Sequence, residues 1–154
     1  MKTSHIYPGA HSLNTYLTVK GCNEAIVFYK KAFGATEVGR ITMPNGDIAH
    51  AEIKIEGSLL MLSDENLEWG NKSPQTIGGN PVLLNIYVEN VDDSYQKAID
   101  AGATAVTPVK DEFYGDRVGQ VMDPFGYKWM INTHIKSVSF DEMQKICDEM
   151  FGGQ

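Results

Sequence analysis

His50 and Glu52 are the residues whose types and spacing best fit acid–base chemistry. They lie two positions apart in the extended segment 48–55, and residues two apart in a strand point to the same face. An imidazole beside a carboxylate can move protons near neutral pH. The pair could also supply two ligands to a divalent metal, one fewer than the three protein ligands of a typical catalytic zinc site. We favour the simpler interpretation, a hydrogen-bonded strand histidine, over either chemistry.

Arg117 is the residue best suited to bind an anion. It follows Gly115 at the start of an extended segment, and a guanidinium at the mouth of a pocket could hold a carboxylate or phosphate with two parallel hydrogen bonds. An ion pair with Asp116, Asp123 or Glu112 explains the residue equally well. The sequence leaves both interpretations open.

The elements that must position these residues occur twice in the chain. Val19 and Val88 are 69 residues apart, as are Gly57 and Gly126, and the string Gly-Ala-Thr at 34–36 recurs at 102–104. Each half reads as a strand, a helix and three further strands, and such an internal repeat indicates one structural unit used twice. The sequence therefore predicts an α+β fold of two tandem βαβββ modules that form an open, curled mixed sheet.

The predicted boundaries make the whole chain, 1–154, one domain. Module one spans 11–65, a linker 66–80, module two 81–136 and a C-terminal helix 139–151. The helix presents an apolar stripe of Met143, Ile146, Met150 and Phe151. Such a stripe predicts docking on the core or contact with a second subunit.

Alternation along the strands gives each sheet one apolar face and one mixed face. The apolar face is expected to pack under the helices, and the mixed face has the composition of a ligand cavity. We favour a cavity over the alternative that the second module or a second subunit covers this face. The predicted ligand-binding residues are Asn14, Tyr16, Thr18, His50, Glu52, Met61, Asn85, Tyr87, Arg117 and Met130.

Several strings resemble the vicinal oxygen chelate superfamily, which includes glyoxalase I, extradiol dioxygenases and bleomycin-resistance proteins, and in particular its PhnB-like branch. They are 24–29 with 33–35, 50–52, 60–65, 87–92, and 115–119 leading into 123–126 and Trp129. The resemblance implies that each module curls into half of an open barrel that holds the ligand. It also implies a homodimer, in which modules are sometimes exchanged between subunits.

The resemblance further implies a metal site with one ligand on the opening strand and one on the closing strand of each module. The corresponding residues here are Asn14, Met61, Leu83 and Met130. Leucine cannot bind a metal, and thioethers suit soft Cu(I) better than the divalent ions. We therefore expect neither this metal site nor another cofactor. A divalent metal could bind only at a non-standard site such as His50 with Glu52.

Composition narrows the partners. The formal net charge of −7 and a pI near 5.0 argue against nucleic acid, whose phosphates require a basic face. No apolar run approaches the roughly 20 residues of a membrane span, and the first residues lack the apolar core of a signal peptide. We expect a cytoplasmic protein without a membrane partner.

These observations favour metal-free binding of a small, partly aromatic or cationic molecule over catalysis. An acidic surface attracts cations, and the residues at the usual metal positions disfavour the enzymes of the superfamily. The alternative is a lyase, isomerase or dioxygenase that uses His50 and Glu52 as catalytic residues, with or without a divalent metal.

Overall fold

The computed structural model describes residues 4–152 as two similar modules joined by a linker. Module one contains β1 (Thr15–Val19), α1 (Cys22–Phe33), β2 (Thr36–Thr42), β3 (Ile48–Ile55) and β4 (Ser58–Asp64). The linker contains the short helix α2 (Pro74–Ile77). Module two contains β5 (Leu83–Tyr87), α3 (Val91–Ala101), β6 (Thr104–Asp111), β7 (Asp116–Met122) and β8 (Lys128–His134), and α4 (Phe140–Phe151) follows. The predicted α+β fold of two βαβββ modules with a C-terminal helix is confirmed.

Each module has its own four-stranded mixed sheet. The strand orders are β1-β4-β3-β2 and β5-β8-β7-β6, and only the pairs β1/β4 and β5/β8 are parallel. Tyr16 lies opposite Met61 in the first parallel pair, and Asn85 lies opposite Met130 in the second. The expected open arrangement is thus two separate sheets rather than one, and neither closes into a barrel.

Helices α1 and α3 each bury one face in the core. Ile26, Tyr29 and Phe33 of α1 are buried, and so are Leu17 and Val19 on the facing side of β1. Gly34 ends α1 in the left-handed conformation, with φ 65°, which glycine adopts without the steric cost that a side chain adds. The predicted packing of the apolar strand faces under the helices is confirmed here.

The two modules share one core, whose polar centre is Asp123. This carboxylate is 3% exposed and accepts hydrogen bonds from Tyr29 Oη (2.7 Å) of module one and from Trp129 Nε1 (2.9 Å). The backbone N–H groups of Phe125 and Tyr127 also donate to it, each at 2.9 Å. Burial is the main cause that raises the pKa of Asp123, and the four donors oppose this shift.

Both modules contain the same hairpin between their second and third strands. In module one Met43 N donates to Asp47 O at 2.7 Å, and Gly46 N donates to Met43 O at 2.9 Å. In module two Glu112 N donates to Asp116 O at 2.8 Å, and Gly115 N donates to Glu112 O at 3.0 Å. The repeat read from the sequence therefore extends to the backbone hydrogen bonds of the turns.

The C-terminal helix is capped as its sequence predicts but is not buried. The Ser139 and Glu142 side chains form a reciprocal capping box. No residue of α4 is buried, and Met150 and Phe151 are 57% and 56% exposed. In this structure the apolar stripe of α4 is therefore not docked on the core of its own chain.

Two further features bear on chemistry. Burial, followed by the nearby Asp64 carboxylate, raises the pKa of the fully buried Cys22 thiol to about 12, whereas Cys147 on α4 is only partly buried. Within residues 4–152, no helix is long and apolar enough to cross a membrane.

Candidate functional site

The candidate site lies on the sheet face of module one that is turned away from α1. Tyr16 on β1 and Glu52 on β3 both lie opposite Met61 of β4, so the three residues form a row across the sheet. His50 lies two residues before Glu52 on the same strand face and pairs with Ile41 of β2. We call this surface, which also carries Thr18, the module-one pocket face.

Hydrogen bonds join three of these side chains. Tyr16 Oη lies 3.1 Å from His50 Nδ1, and His50 Nε2 lies 3.2 Å from Glu52 Oε1. The side chains of His50 and Glu52 are 32% and 13% exposed, and Tyr16 is 49% exposed. The structure thus brings the predicted pair together with Tyr16 in a module-one triad that is open to solvent.

The chemistry of the triad follows from its donors and acceptors. The ionised Glu52 carboxylate only accepts hydrogen bonds, so His50 donates to it through Nε2–H. A neutral imidazole then carries its lone pair on Nδ1, where the Tyr16 hydroxyl donates. The phenol oxygen keeps its own lone pairs for a ligand. The triad can therefore accept a hydrogen bond from a ligand and pass a proton along Tyr16 and His50.

The equivalent surface of module two lacks this triad. Asn85 and Gln120 both lie opposite Met130, so they correspond to Tyr16 and Glu52 of module one. Two residues before Gln120, at the position of His50, stands Val118. The module-two pocket face, formed by Asn85, Met130, Gln120, Val118 and Tyr87, therefore has no histidine or carboxylate in the corresponding row.

Module two has a different cluster at the end of its sheet. Tyr87 Oη donates to Asp116 Oδ2 at 2.6 Å, and His134 Nδ1 lies 2.7 Å from Asp116 Oδ1. The hydrogen bond to Asp116 is the main cause that raises the pKa of Tyr87. From the sequence, Tyr87 is predicted only as a ligand contact, and neither Asp116 nor His134 is singled out as a site residue. The turn at 123–126 between β7 and β8 was the signal that could have placed Asp116 opposite His134, because these two strands pair from Met122 and Lys128 to Asp116 and His134.

Asn132 holds the module-two face rigid. It is fully buried, and its Nδ2 donates to Ile86 O at 3.1 Å, to Met130 O at 3.0 Å and to the Asn85 side-chain oxygen. The Asn85 carbonyl is thereby already engaged. The two faces therefore differ in chemistry: module one offers a phenol, an imidazole and a carboxylate, and module two offers amides.

Arg117 lies on the other side of its sheet. It alternates with Asp116 and Val118, and it forms two hydrogen bonds of 2.8 Å with Asp92 of α3 and one of 2.7 Å with Asp111. These carboxylates raise its pKa. Arg117 is therefore not a free anion-binding residue at the pocket mouth, which corrects that expectation. The alternative of an ion pair holds, but its partners are Asp92 and Asp111 and not Asp116, Asp123 or Glu112.

The residues at the usual metal positions of the family do not fit a divalent ion. Asn14 precedes β1, and its side chain closes a turn by accepting from His11 N at 2.8 Å and donating to His11 O at 2.5 Å. Leu83, Met61 and Met130 offer a hydrocarbon and two thioethers, which are poor ligands for hard or borderline ions. Over residues 4–152, no three His, Cys, Asp or Glu side chains lie close enough together to hold a metal.

Two open cavities flank these surfaces. One, of about 530 Å³, lies between the modules and is lined by residues that include Thr15, Leu59, Leu83, Asn85 and Tyr87. Its lining does not include Tyr16, His50, Glu52 or Met130. Within one chain, the predicted ligand-binding residues therefore form two surfaces rather than one enclosed pocket.

The other cavity, of about 590 Å³, lies beside the start of α1. Its carboxylate Asp64 accepts hydrogen bonds from the backbone N–H groups of Gly21, Cys22 and Ile48 at 2.7–3.1 Å. The adjacent Glu65 accepts from the Ser73 backbone and hydroxyl. Both carboxylates stabilise the local fold, which leaves the module-one triad as the stronger candidate site.

Comparison with known proteins places the fold in a family. A family model described as the Glyoxalase/Bleomycin resistance protein/Dioxygenase superfamily matches residues 10–131. Because the match covers most of the chain, the protein belongs to this superfamily. The resemblance read from the sequence is thereby confirmed.

Relatives and solved structures agree with this assignment. An uncharacterised Mycobacterium bovis protein, Mb0911c, is 42% identical over 136 residues, which cover 86% of this chain and 90% of the relative. The X-ray structure of the Arabidopsis thaliana At5g48480 product is 28% identical, with a TM-score of 0.64 over 79% of this chain and 97% of that one. The PhnB protein of Bacillus cereus, described as a putative 3-demethylubiquinone-9 3-methyltransferase, is 19% identical, with a TM-score of 0.62 over 80% and 99%. The last similarity shows the fold alone.

Proposed function

We propose that the protein binds a small aromatic molecule, neutral or cationic, on the module-one pocket face and without a metal. The observation that supports this most is the module-one triad, in which Tyr16, His50 and Glu52 are hydrogen-bonded to one another and still accessible. Polar groups that are held in place and surrounded by apolar atoms are typical of ligand sites.

Apolar neighbours supply the rest of the contact. Met61 lies in the same row as Tyr16 and Glu52, and Ile41, 63% exposed, lies beside His50. Methionine adapts to irregular ligands and contacts aromatic rings favourably. The Glu52 carboxylate and the net charge of −7 favour a cation over an anion by long-range attraction.

A second copy of the chain would complete the pocket. Apolar residues of both pocket faces are exposed, among them Tyr16, Leu83 and Tyr87 at 44–54%, and proteins rarely leave such surfaces to water. We therefore propose a homodimer in which the partner covers the module-one face. We also retain the expectation that the protein is cytoplasmic.

Catalysis is the second candidate function, and the hydrogen-bonded order of the triad supports it as well. A tyrosine hydroxyl, an imidazole and a carboxylate in hydrogen-bonded order can take a proton from a substrate bound at Tyr16. In this case the protein would be a lyase, isomerase or dioxygenase of the superfamily, with or without a divalent metal at His50 and Glu52.

The test for binding is a fluorescence titration with thioflavin T, an aromatic cation. We expect saturable binding by the natural protein and an affinity lower by about tenfold or more in His50→Ala, equivalent to about 1.4 kcal/mol. The matched control is Gln120→Ala, because Gln120 occupies the same row in module two. Equal affinities in all three proteins, or no saturable binding, would overturn the proposal.

Metal analysis of the purified protein separates binding from metal-dependent catalysis. We expect less than a tenth of an equivalent of zinc, nickel, iron or manganese, because too few suitable ligands converge. One tightly bound equivalent that is lost in His50→Ala would contradict the metal-free proposal and support the enzyme.

A further inference from the structure

The segment that follows β8 places a serine beside the module-two cluster. Ser137 Oγ lies 3.3 Å from His134 Nε2, and His134 Nδ1 lies 2.7 Å from Asp116 Oδ1. A hydroxyl, an imidazole and a carboxylate joined in this order are the arrangement that activates a serine for attack on a carbonyl carbon. Neither the family nor the proposed ligand site requires these residues.

The Asp116 carboxylate is fixed in place, as a group that orients the catalytic imidazole must be. The Asp116 side chain is 7% exposed, whereas that of His134 is 55% exposed. Tyr87 Oη donates to the second carboxylate oxygen at 2.6 Å, so both oxygens have fixed partners. Because the carboxylate accepts from Nδ1–H, the neutral imidazole presents its Nε2 lone pair to Ser137. The base is therefore in the tautomer that can take the serine proton.

The segment that carries Ser137 is also fixed. Gly115 O accepts from both Ile135 N (3.0 Å) and Lys136 N (2.9 Å). The approach is so close that a Cβ atom on Gly115 would lie 1.8 Å from Lys136 O. Only a glycine allows this contact, which holds residues 135 and 136 against the hairpin.

Backbone donors stand beside the serine. Over residues 4–152, no backbone carbonyl accepts a hydrogen bond from the N–H groups of Ser137 and Val138. The N–H of a nucleophilic residue and that of its neighbour commonly stabilise the oxyanion that forms during acyl transfer. In the proposed site, this role would fall to the two N–H groups.

We propose that Ser137, with His134 as base and Asp116 as positioning residue, forms a nucleophilic site for acyl transfer from small esters. Ser137 Oγ bonds to the ester carbonyl carbon while its proton passes to His134 Nε2. The bond to the leaving oxygen then breaks, and the alkoxide takes the proton from His134. Water, deprotonated by His134, releases the acyl group as a carboxylic acid and restores the serine.

The surroundings restrict the substrate class. The Asp116 carboxylate, joined to the serine through His134, and the net charge of −7 place the serine in negative surroundings. On the hairpin that contacts residues 135 and 136, Phe113, 38% exposed, contacts Tyr114 with ring centroids 5.4 Å apart. Negative charge repels an anionic ester, and the aromatic pair offers an apolar surface. The site therefore selects neutral or cationic esters.

The experiment uses 4-nitrophenyl acetate with the full chain and follows 4-nitrophenolate release and the site of acetylation by peptide mass spectrometry. We expect a burst of one equivalent, acetylation at Ser137, and a burst rate at least tenfold lower in Ser137→Ala and His134→Gln. The matched control is Ser58→Ala, a strand serine on module one. It keeps the natural rate.

One further variant guards against misfolding, and one further substrate tests the charge selectivity. Ser137→Cys retains a nucleophile and should keep the burst, with the acetyl group on the new thiol. An anionic ester with the same leaving group should react at least tenfold more slowly than the acetate. Acetylation at a lysine, tyrosine or His50, or an unchanged burst in Ser137→Ala, would overturn the proposal, and equal rates for both esters would overturn its charge selectivity.

Discussion

The hairpin Met43–Asp47 of module one and the hairpin Glu112–Asp116 of module two have matching backbone hydrogen bonds but different surroundings. Asp47 is exposed at the edge of its sheet. Asp116 is 5% exposed, because the residues after β8 cross over its hairpin and His134 and Tyr87 bind its carboxylate. One copy of the turn remains open, and the other is covered.

The same contrast separates the two pocket faces. Module one leaves Tyr16, His50 and Glu52 accessible, whereas module two has Val118 and Gln120 at the corresponding strand positions. Module two instead uses its polar groups internally: Asp123 binds the modules together and Asn132 fixes β5. Under the proposed function, the repeated backbone serves ligand recognition in module one, while Asp123 and Asn132 of module two stabilise the fold.

The largest effect that tests this contrast is expected for Asp123→Ala. The substitution leaves the buried Tyr29 hydroxyl and Trp129 N–H without their acceptor, and we expect the free energy of unfolding to fall by about 3–5 kcal/mol. Urea denaturation followed by circular dichroism measures the change. The control is Asp47→Ala on the open hairpin, which should unfold close to the natural midpoint. Similar losses for both would contradict a stabilising role specific to module two.

Gly115→Ala is expected to have the next largest effect. The added Cβ would lie 1.8 Å from Lys136 O, and overpacking of this kind costs about 1–3 kcal/mol. Gly46→Ala is the matched control, because Gly46 has nearly the same φ (95° against 98°) but no atom within 4 Å of the added Cβ. The difference between their thermal midpoints isolates the close approach. If the two variants melt together, the C-terminal segment does not cover the module-two hairpin.

Tyr16→Phe and Tyr87→Phe compare the two faces directly. Loss of the Tyr16 hydroxyl removes the partner of His50 Nδ1, and we expect affinity for thioflavin T to fall by about 0.5–1.5 kcal/mol, the worth of one hydrogen bond. Tyr87→Phe should leave that affinity unchanged, since its hydroxyl donates to Asp116. The titrations would contradict the proposed location of the ligand if Tyr87→Phe had the larger effect.

The smallest expected effect concerns stability in acid. Hydrogen bonds from Arg40 and Lys30 lower the pKa of Glu37 from 4.5 to about 2. The Glu37 contribution to stability is therefore complete above pH 4.5 and is lost as the pH falls towards 2. In Glu37→Gln, the unfolding midpoint should depend less on pH within this range. Module two has Ala105 at the corresponding position, so the control Ala105→Ser should keep the natural pH dependence of the unfolding midpoint. If Glu37→Gln also keeps that dependence, the ion pairs of Glu37 do not cause it.

The sequence predicts the repeat, the helices and the sheet faces well because each depends on local patterns. Ile48–Ile55 begins and ends as predicted. The pair of His50 and Glu52 was found because strand alternation alone places both on one face. These features need no knowledge of distant contacts.

The sequence predicts long-range side-chain contacts poorly. Arg117 finds Asp92 on α3 because the strand alternates it towards the helix, and the relevant helix face is not evident from spacing. His134 is not singled out as a site residue from the sequence, because its contact with Asp116 depends on the register of β7 and β8, which the residues around His134 do not show. The contacts of Tyr29 with Asp123 and Trp129 join residues 94 or more positions apart in the chain, and no local pattern indicates them.

The two cysteines differ in burial, so one of them is a selective site for chemical labelling. Cys22 is fully buried and its thiol has a pKa of about 12, so it supplies almost no thiolate to react at neutral pH. Cys147 lies on α4, where no residue is buried. A maleimide dye should therefore attach at Cys147 without any mutagenesis. Its emission would then report directly whether the C-terminal helix finds a second subunit as the protein concentration rises.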